Sequence, residues 1–91
     1  MRKRKTDKDR ALDHAFGNRL RFRRCSKFLT QTAVANIIGT SQLSISKWEL
    51  GQTRPRPKAV AAFYAELGYT TTDMLQDWVE ATKETAEKWK E

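Results

Sequence analysis

Cysteine, proline and glycine are scarce in this chain of 91 residues: it has one Cys, two Pro and four Gly. A single Cys25 cannot close an internal disulfide, so the sequence does not read as a stapled secreted domain and fits a reducing cytosol. So little glycine and proline argues against a loop-rich or turn-dense β fold, and no stretch alternates apolar and polar residues as a strand would. No apolar run approaches the roughly 18 residues of a membrane span, and no signal peptide is recognisable at the start. His14 is the one histidine, with no second histidine, acidic cluster or cysteine at ligand spacing, so neither a metal site nor a cofactor is expected. Catalysis is not expected either. His14 and Cys25 form no recognisable pair, and Asp73 and Asp77 read as solvated, cap-related carboxylates with no second catalytic group.

What is present is helix-forming sequence with unevenly spread charge. Hydrophobic residues make up 38% and charged residues 32%, enough for one small helical domain. The net charge is +7, of which residues 1–58 carry +11 and residues 59–91 carry −4. A strongly basic half implies a polyanionic partner, because lysine and arginine on phosphates release condensed counterions. The acidic half is not expected on the same polyanion.

The stretch TQTAVANIIGTSQLSISKWEL, residues 30–50, reads as two short helices around a reversal at Gly39. Ala33, Val34, Ile37 and Ile38 follow a 3.6-residue period, and Ile45 and Trp48 share one side of the second helix. Glycine tolerates the positive φ that stops a helix, and Ser41 can cap the next one. Ala35 is small where the two helices must come together. The pattern is a helix-turn-helix. At 100° per residue, Gln42, Leu43, Ser46 and Lys47 are left on the outer face of the second helix. An amide, a methyl-bearing side chain, a hydroxyl and a cation are chemistries that read base edges in a major groove.

Around this pair, residues 1–10 carry six basic and two acidic residues and read as a flexible arm, either a solubilising tail or a segment that wraps a duplex. Residues 11–28 read as a first helix with a core stripe of Leu12, Ala15, Phe16 and Leu20, and Phe28 and Leu29 are expected to cover the join to the next. Gly51 should end the second helix of the pair. Pro57 suits the first turn of a helix over about Lys58 to Leu67, closed by Gly68. Thr70 and Asp73 have the spacing of a capping box for a fifth helix, with Met74, Leu75, Trp78 and Val79 facing the core. Beyond Glu80, Thr82, Thr85 or Ala86, and Trp89 continue a weak stripe that one small domain has little surface left to bury. Three regions result: a basic arm (1–10), a helix-turn-helix domain (11–79) and a helical extension (80–91).

From Phe16 to Leu75 the sequence resembles the phage repressor and Cro-like regulators, the XRE family. The ordered set carries the resemblance: LTQ opening the second helix, Ala35, Gly39, Ile45, the WE-x-G of Trp48, Glu49 and Gly51, the proline loop and LG. It implies an all-α, five-helix, lambda-repressor-like domain, here with an extended C-terminal helix. It also implies a transcriptional regulator, without enzyme activity, that binds double-stranded operator DNA as a homodimer, in the cytoplasm of a bacterium or from a phage. By this resemblance Gln31 opens the second helix and meets a phosphate, Thr40 and Ser41 lie at the phosphate-facing turn, and Gln42 reads an adenine. Leu43 can touch only a thymine methyl, and Ser46 and Lys47 continue along the groove. Arg54 and Arg56 fall in the family's basic loop, without a phosphate being assigned to either. Arg24 and Glu49 match a pair that ties helix 1 to helix 3. Arg23 and Leu50 depart from the family's pattern, which favours an apolar residue at the first position and a polar one at the second. An antitoxin whose acidic half binds a basic toxin, or a protein-interaction adaptor on the same fold, is the alternative.

Overall fold

The computed structural model describes residues 6–88. They form five helices: α1 (Asp7–Ser26), α2 (Gln31–Ile38), α3 (Gln42–Glu49), α4 (Pro57–Glu66) and α5 (Thr71–Lys88). None is long and apolar enough to cross a membrane. Most of the local stops and starts lie where the sequence places them. Gly39 closes α2 in the left-handed region at φ +79, and the Ser41 hydroxyl caps α3 by accepting from the Ser44 N–H. Pro57 stands in the first turn of α4, where its missing N–H leaves no bond unmade. Thr70 and Asp73 exchange side-chain-to-backbone bonds of 2.9 and 3.1 Å at the start of α5.

Two boundaries differ from the sequence reading. The first helix begins at Asp7 and not at residue 11. Thr6 and Asp9 form a reciprocal capping box, and acids at Asp7 and Asp9 suit the positive end of the helix dipole. Charge alone masks this turn, because it has no apolar stripe. Residues 1–5 of the expected arm lie outside the described residues. At the other end α1 stops at Ser26, and Phe28 does not cover the join. It is 96% exposed, whereas Leu29 packs against the core.

The core is built around Leu20, Val34, Ile45, Phe63 and Tyr64, all fully buried. Ala35 is buried at the α2–α3 crossing, as its size requires. Gly17 is the tightest point. A Cβ there would stand 2.3 Å from the Trp48 carbonyl oxygen and 2.8 Å from that of Glu49. The backbone of α1 therefore lies directly against the end of α3, which fixes the height and tilt of that helix.

The fifth helix lies along α1 and is not an unsupported extension. Beyond Glu80, Ala81 and Thr85 are both buried, and the Thr85 hydroxyl is satisfied by the Ala81 carbonyl at 2.9 Å. Trp78 meets Phe16 edge-on with centroids 5.2 Å apart. Arg19 donates to Glu84 at 2.9 Å across the same seam. Leu75 and Val79, expected in the core, instead point outward at 57% and 49% exposure. Thr82 and Ala86 are exposed beside them, and Trp89 lies outside the described residues.

Asp77 is also not the solvated carboxylate expected from its spacing to Asp73. It is buried and receives Arg23 in two bonds, at 2.9 and 3.0 Å, and the Tyr64 hydroxyl at 2.6 Å. This explains Arg23 at a position where an apolar residue is usual: its charge meets a buried partner from α5. The bond to Asp77 raises the Arg23 pKa, and burial together with Asp77 pushes the Tyr64 phenol well above its ordinary value.

Candidate nucleic-acid interface

The second and third helices meet across the Gly39 turn, and α3 turns Ile45 and Glu49 inward. The opposite face presents Gln42, Leu43 and Leu50 to solvent, with Ser46 and Lys47 half-buried along it. Leu43 is 60% exposed and Leu50 55%, so both leucines are free to touch a partner. The face is eight residues long, short enough to lie in one major groove.

A chain of hydrogen bonds holds this face in place. Arg24 grips the Glu49 carboxylate through Nε at 2.6 Å and Nη2 at 2.9 Å, and donates through Nη1 to the Leu29 carbonyl at 2.8 Å. Glu49 in turn accepts from Gln31 Nε2 at 3.0 Å. The Gln31 carbonyl then accepts from Gln42 Nε2 at 2.6 Å. Arg24 is a permanent cation, and its hydrogen bond to Glu49 raises its pKa further. Gln42 spends one of its two amide hydrogens on Gln31. Its second N–H and its carbonyl stay available, which is the donor–acceptor pair that an adenine N7/N6 edge requires. The amide is thus oriented before any ligand arrives.

Residues 15–76 match the family described as the helix-turn-helix domain. The chain belongs to that family. Two crystal structures of the clp gene regulator ClgR from Corynebacterium glutamicum share the arrangement of helices. One is 26% identical with a TM-score of 0.69, covering 77% of this chain and 91% of that one. The other is 25% identical with a TM-score of 0.74, covering 85% and 82% respectively. Comparison with curated proteins gives no match.

Within this helix-turn-helix domain the expected site residues separate into groups. Gln31, Gln42, Leu43, Ser46 and Lys47 share the α3 side. Thr40 and Arg56 come together on a groove of about 360 Å³ that Gly39, Trp48 and Lys58 also line. Ser41 serves the backbone, accepting from the Ser44 N–H at 3.1 Å, and its hydroxyl also lies 3.0 Å from that of Ser44. Arg54 does not join either group. Its Nε donates to the buried Asp13 at 2.6 Å and its guanidinium lies 5.2 Å above the Trp78 ring. That contact ties the α3–α4 loop to α1 and α5. The alternating RPRP sequence cannot reveal it, because Asp13 is 41 residues away.

Two cations that the sequence shows as exposed but not as site residues lie in the same grooves. Arg21 lines a polar groove with Gln31, Ser46 and Leu50, and Lys58 lines the Thr40 groove with Arg56. The three-residue spacing of Arg21 and Arg24 was the available signal for the first.

Proposed function

We propose that the protein is a sequence-specific, DNA-binding transcriptional regulator that acts without enzymatic chemistry, as a homodimeric repressor on a pseudo-palindromic operator. The observation that carries this reading is the Arg24–Glu49–Gln31–Gln42 chain, which presents a pre-oriented amide at the start of an exposed α3. Gln42 reads adenine, Leu43 meets a thymine methyl, and Ser46 and Lys47 follow the groove. Gln31, Thr40, Arg56 and Lys58 take phosphates. The regulators of clp genes from Corynebacterium glutamicum, which share the fold, support a role at promoters. The protein works in the cytoplasm on chromosomal or phage DNA.

Dimerisation follows from discrimination. One eight-residue helix reads too few base pairs to find a site among many competitors, and two copies about one helical turn apart restore the ratio. Support for the interface comes from Leu75 and Val79, exposed on α5 next to an apolar groove lined by Pro55, Pro57, Val60 and Met74. The −4 charge of residues 59–91 opposes the approach of two copies there less than the +11 half would.

The deciding experiment is selection of duplexes from a random pool by the full chain, followed by affinity measurement against salt. An inverted-repeat motif bound at least about a thousandfold over random duplex, with affinity falling steeply as salt rises, is expected. A pool that stays random after repeated selection rejects the reading.

A further inference from the structure

The turn between α1 and α2 closes in a way that calls for glycine. The Phe28 N–H donates to the Cys25 carbonyl at 2.9 Å and the Leu29 N–H to the Arg24 carbonyl at 3.4 Å. These are the two bonds of a Schellman ending, whose closing residue adopts the left-handed conformation. Phe28 occupies it at φ +58, and is the one residue other than glycine with positive φ among the described residues. A Cβ is disfavoured there, and a bulky aromatic makes the position an outlier.

The ring gains nothing inside the molecule in return. Phe28 is 96% exposed, the most exposed large hydrophobic residue described. Both neighbours are anchored: Lys27 lies over the Tyr69 ring at 4.8 Å, and the Leu29 side chain packs on the core. The turn is thus tied to the domain on both sides of Phe28, and the aromatic is held out from it. Strain and exposure together point outward, to a partner.

The partner is indicated by what the turn is fastened to. The Leu29 carbonyl accepts from Arg24, the same guanidinium that clamps Glu49 and, through Gln31, orients Gln42. Phe28 stands three residues before Gln31 and two before Thr30, the cap of α2. It is thus mounted on the frame of the reading head, whose polar groove is lined by Arg21, Gln31 and Ser46.

We propose that Phe28 is a DNA contact, its ring packing on the deoxyribose face of the strand that passes the start of α2. The inference rests on the DNA-binding reading above. A sugar face is apolar between charged phosphates, so it suits an exposed aromatic ring carried next to the cap of α2. The contact adds affinity without reading a base, and it is made only by a duplex seated with α3 in its groove.

Phe28→Gly separates this role from a structural one, because stability and affinity should move in opposite directions. The variant should melt about 5 °C higher, since the left-handed backbone is relieved. It should bind the selected duplex about tenfold more weakly, and Phe28→Tyr should keep wild-type affinity. Phe28→Ala should also lose about tenfold, showing that the ring and not the backbone matters. A Phe28→Gly chain that binds the selected duplex as tightly as wild type, or more tightly, overturns the inference. A wild-type chain that selects no sequence removes the DNA reading itself and this contact with it.

Discussion

Arg24 and Glu49 form a two-bond ion pair, at 2.6 and 2.9 Å, between the end of α1 and the end of α3. Both side chains are nearly closed to solvent, at 12% and 4% exposure. Here charge buys orientation: Glu49 is fixed by Arg24, and its Oε1 is then the acceptor that holds Gln31.

Removing Glu49 should therefore act on stability and on recognition. Glu49→Ala leaves a buried guanidinium without its carboxylate and is expected to cost about 3–5 kcal/mol. Arg24→Lys should recover little of the contact, because an ammonium cannot make the planar two-bond fork. Urea unfolding of both variants measures this. An unchanged midpoint for Glu49→Ala would show that the pair is energetically idle.

Gln42→Ala should relax base preference at one operator position and lower affinity for the preferred base by about 1–3 kcal/mol. Gln31→Ala should reduce the same preference to a smaller degree, since it frees the Gln42 amide to rotate. Binding to a panel of single-base operator variants separates the two. Uniform weakening across the panel would mean that Gln42 meets the backbone and not a base.

The dimer can be tested without cutting the chain. Truncation after Val79 would remove Ala81 and Thr85, which are buried against the domain, so it would damage the fold as well as any interface. Leu75→Glu with Val79→Glu instead places charges on exposed positions, where the change in monomer stability should stay within about 0.5 kcal/mol per site. Sedimentation at micromolar concentration should show wild type as a dimer and the double variant as a monomer. A wild-type monomer, or a dimeric double variant, excludes this face.

The buried Tyr64 phenol predicts an alkaline limit to stability. Its folded pKa is raised from an ordinary value of 10.0 by burial and by the bond to Asp77. A raised pKa means that its contribution is complete below pH 10 and is lost as pH rises, because the unfolded chain ionises first. Tyr64→Phe should give up about 1 kcal/mol of hydrogen bonding at neutral pH and lose that alkaline slope. Thermal melts between pH 8 and about 11 decide it: equal slopes in the two proteins would place the alkaline transition elsewhere. Asp73 works in the opposite sense. Its pKa is lowered by the Thr70 backbone bond, so its cap weakens as pH falls into the carboxylate range.

The sequence by itself determined the features whose causes lie within a few residues of each other. Gly39 at φ +79, the Ser41 cap, Pro57 in the first turn of α4 and the Thr70–Asp73 box are each fixed by local backbone chemistry. The outer face of α3 was legible for the same reason, because helical periodicity alone separates Gln42, Leu43, Ser46 and Lys47 from Ile45. The Arg24–Glu49 pair came from resemblance to the repressor family, not from spacing. Only the tertiary structure decided which charges meet across helices. Arg23 finds Asp77 54 residues away, and Arg54 finds Asp13 41 residues away, so neither pairing leaves a local trace. The need for Gly17 likewise appears only once α1 lies on the carbonyls ending α3. Ala81 and Thr85 are weak apolar signals in the sequence, yet they are buried because small side chains let α5 lie close along α1. Burial and ion pairing are properties of what a residue faces, and that is set by the packing of whole helices and not by neighbours in the chain.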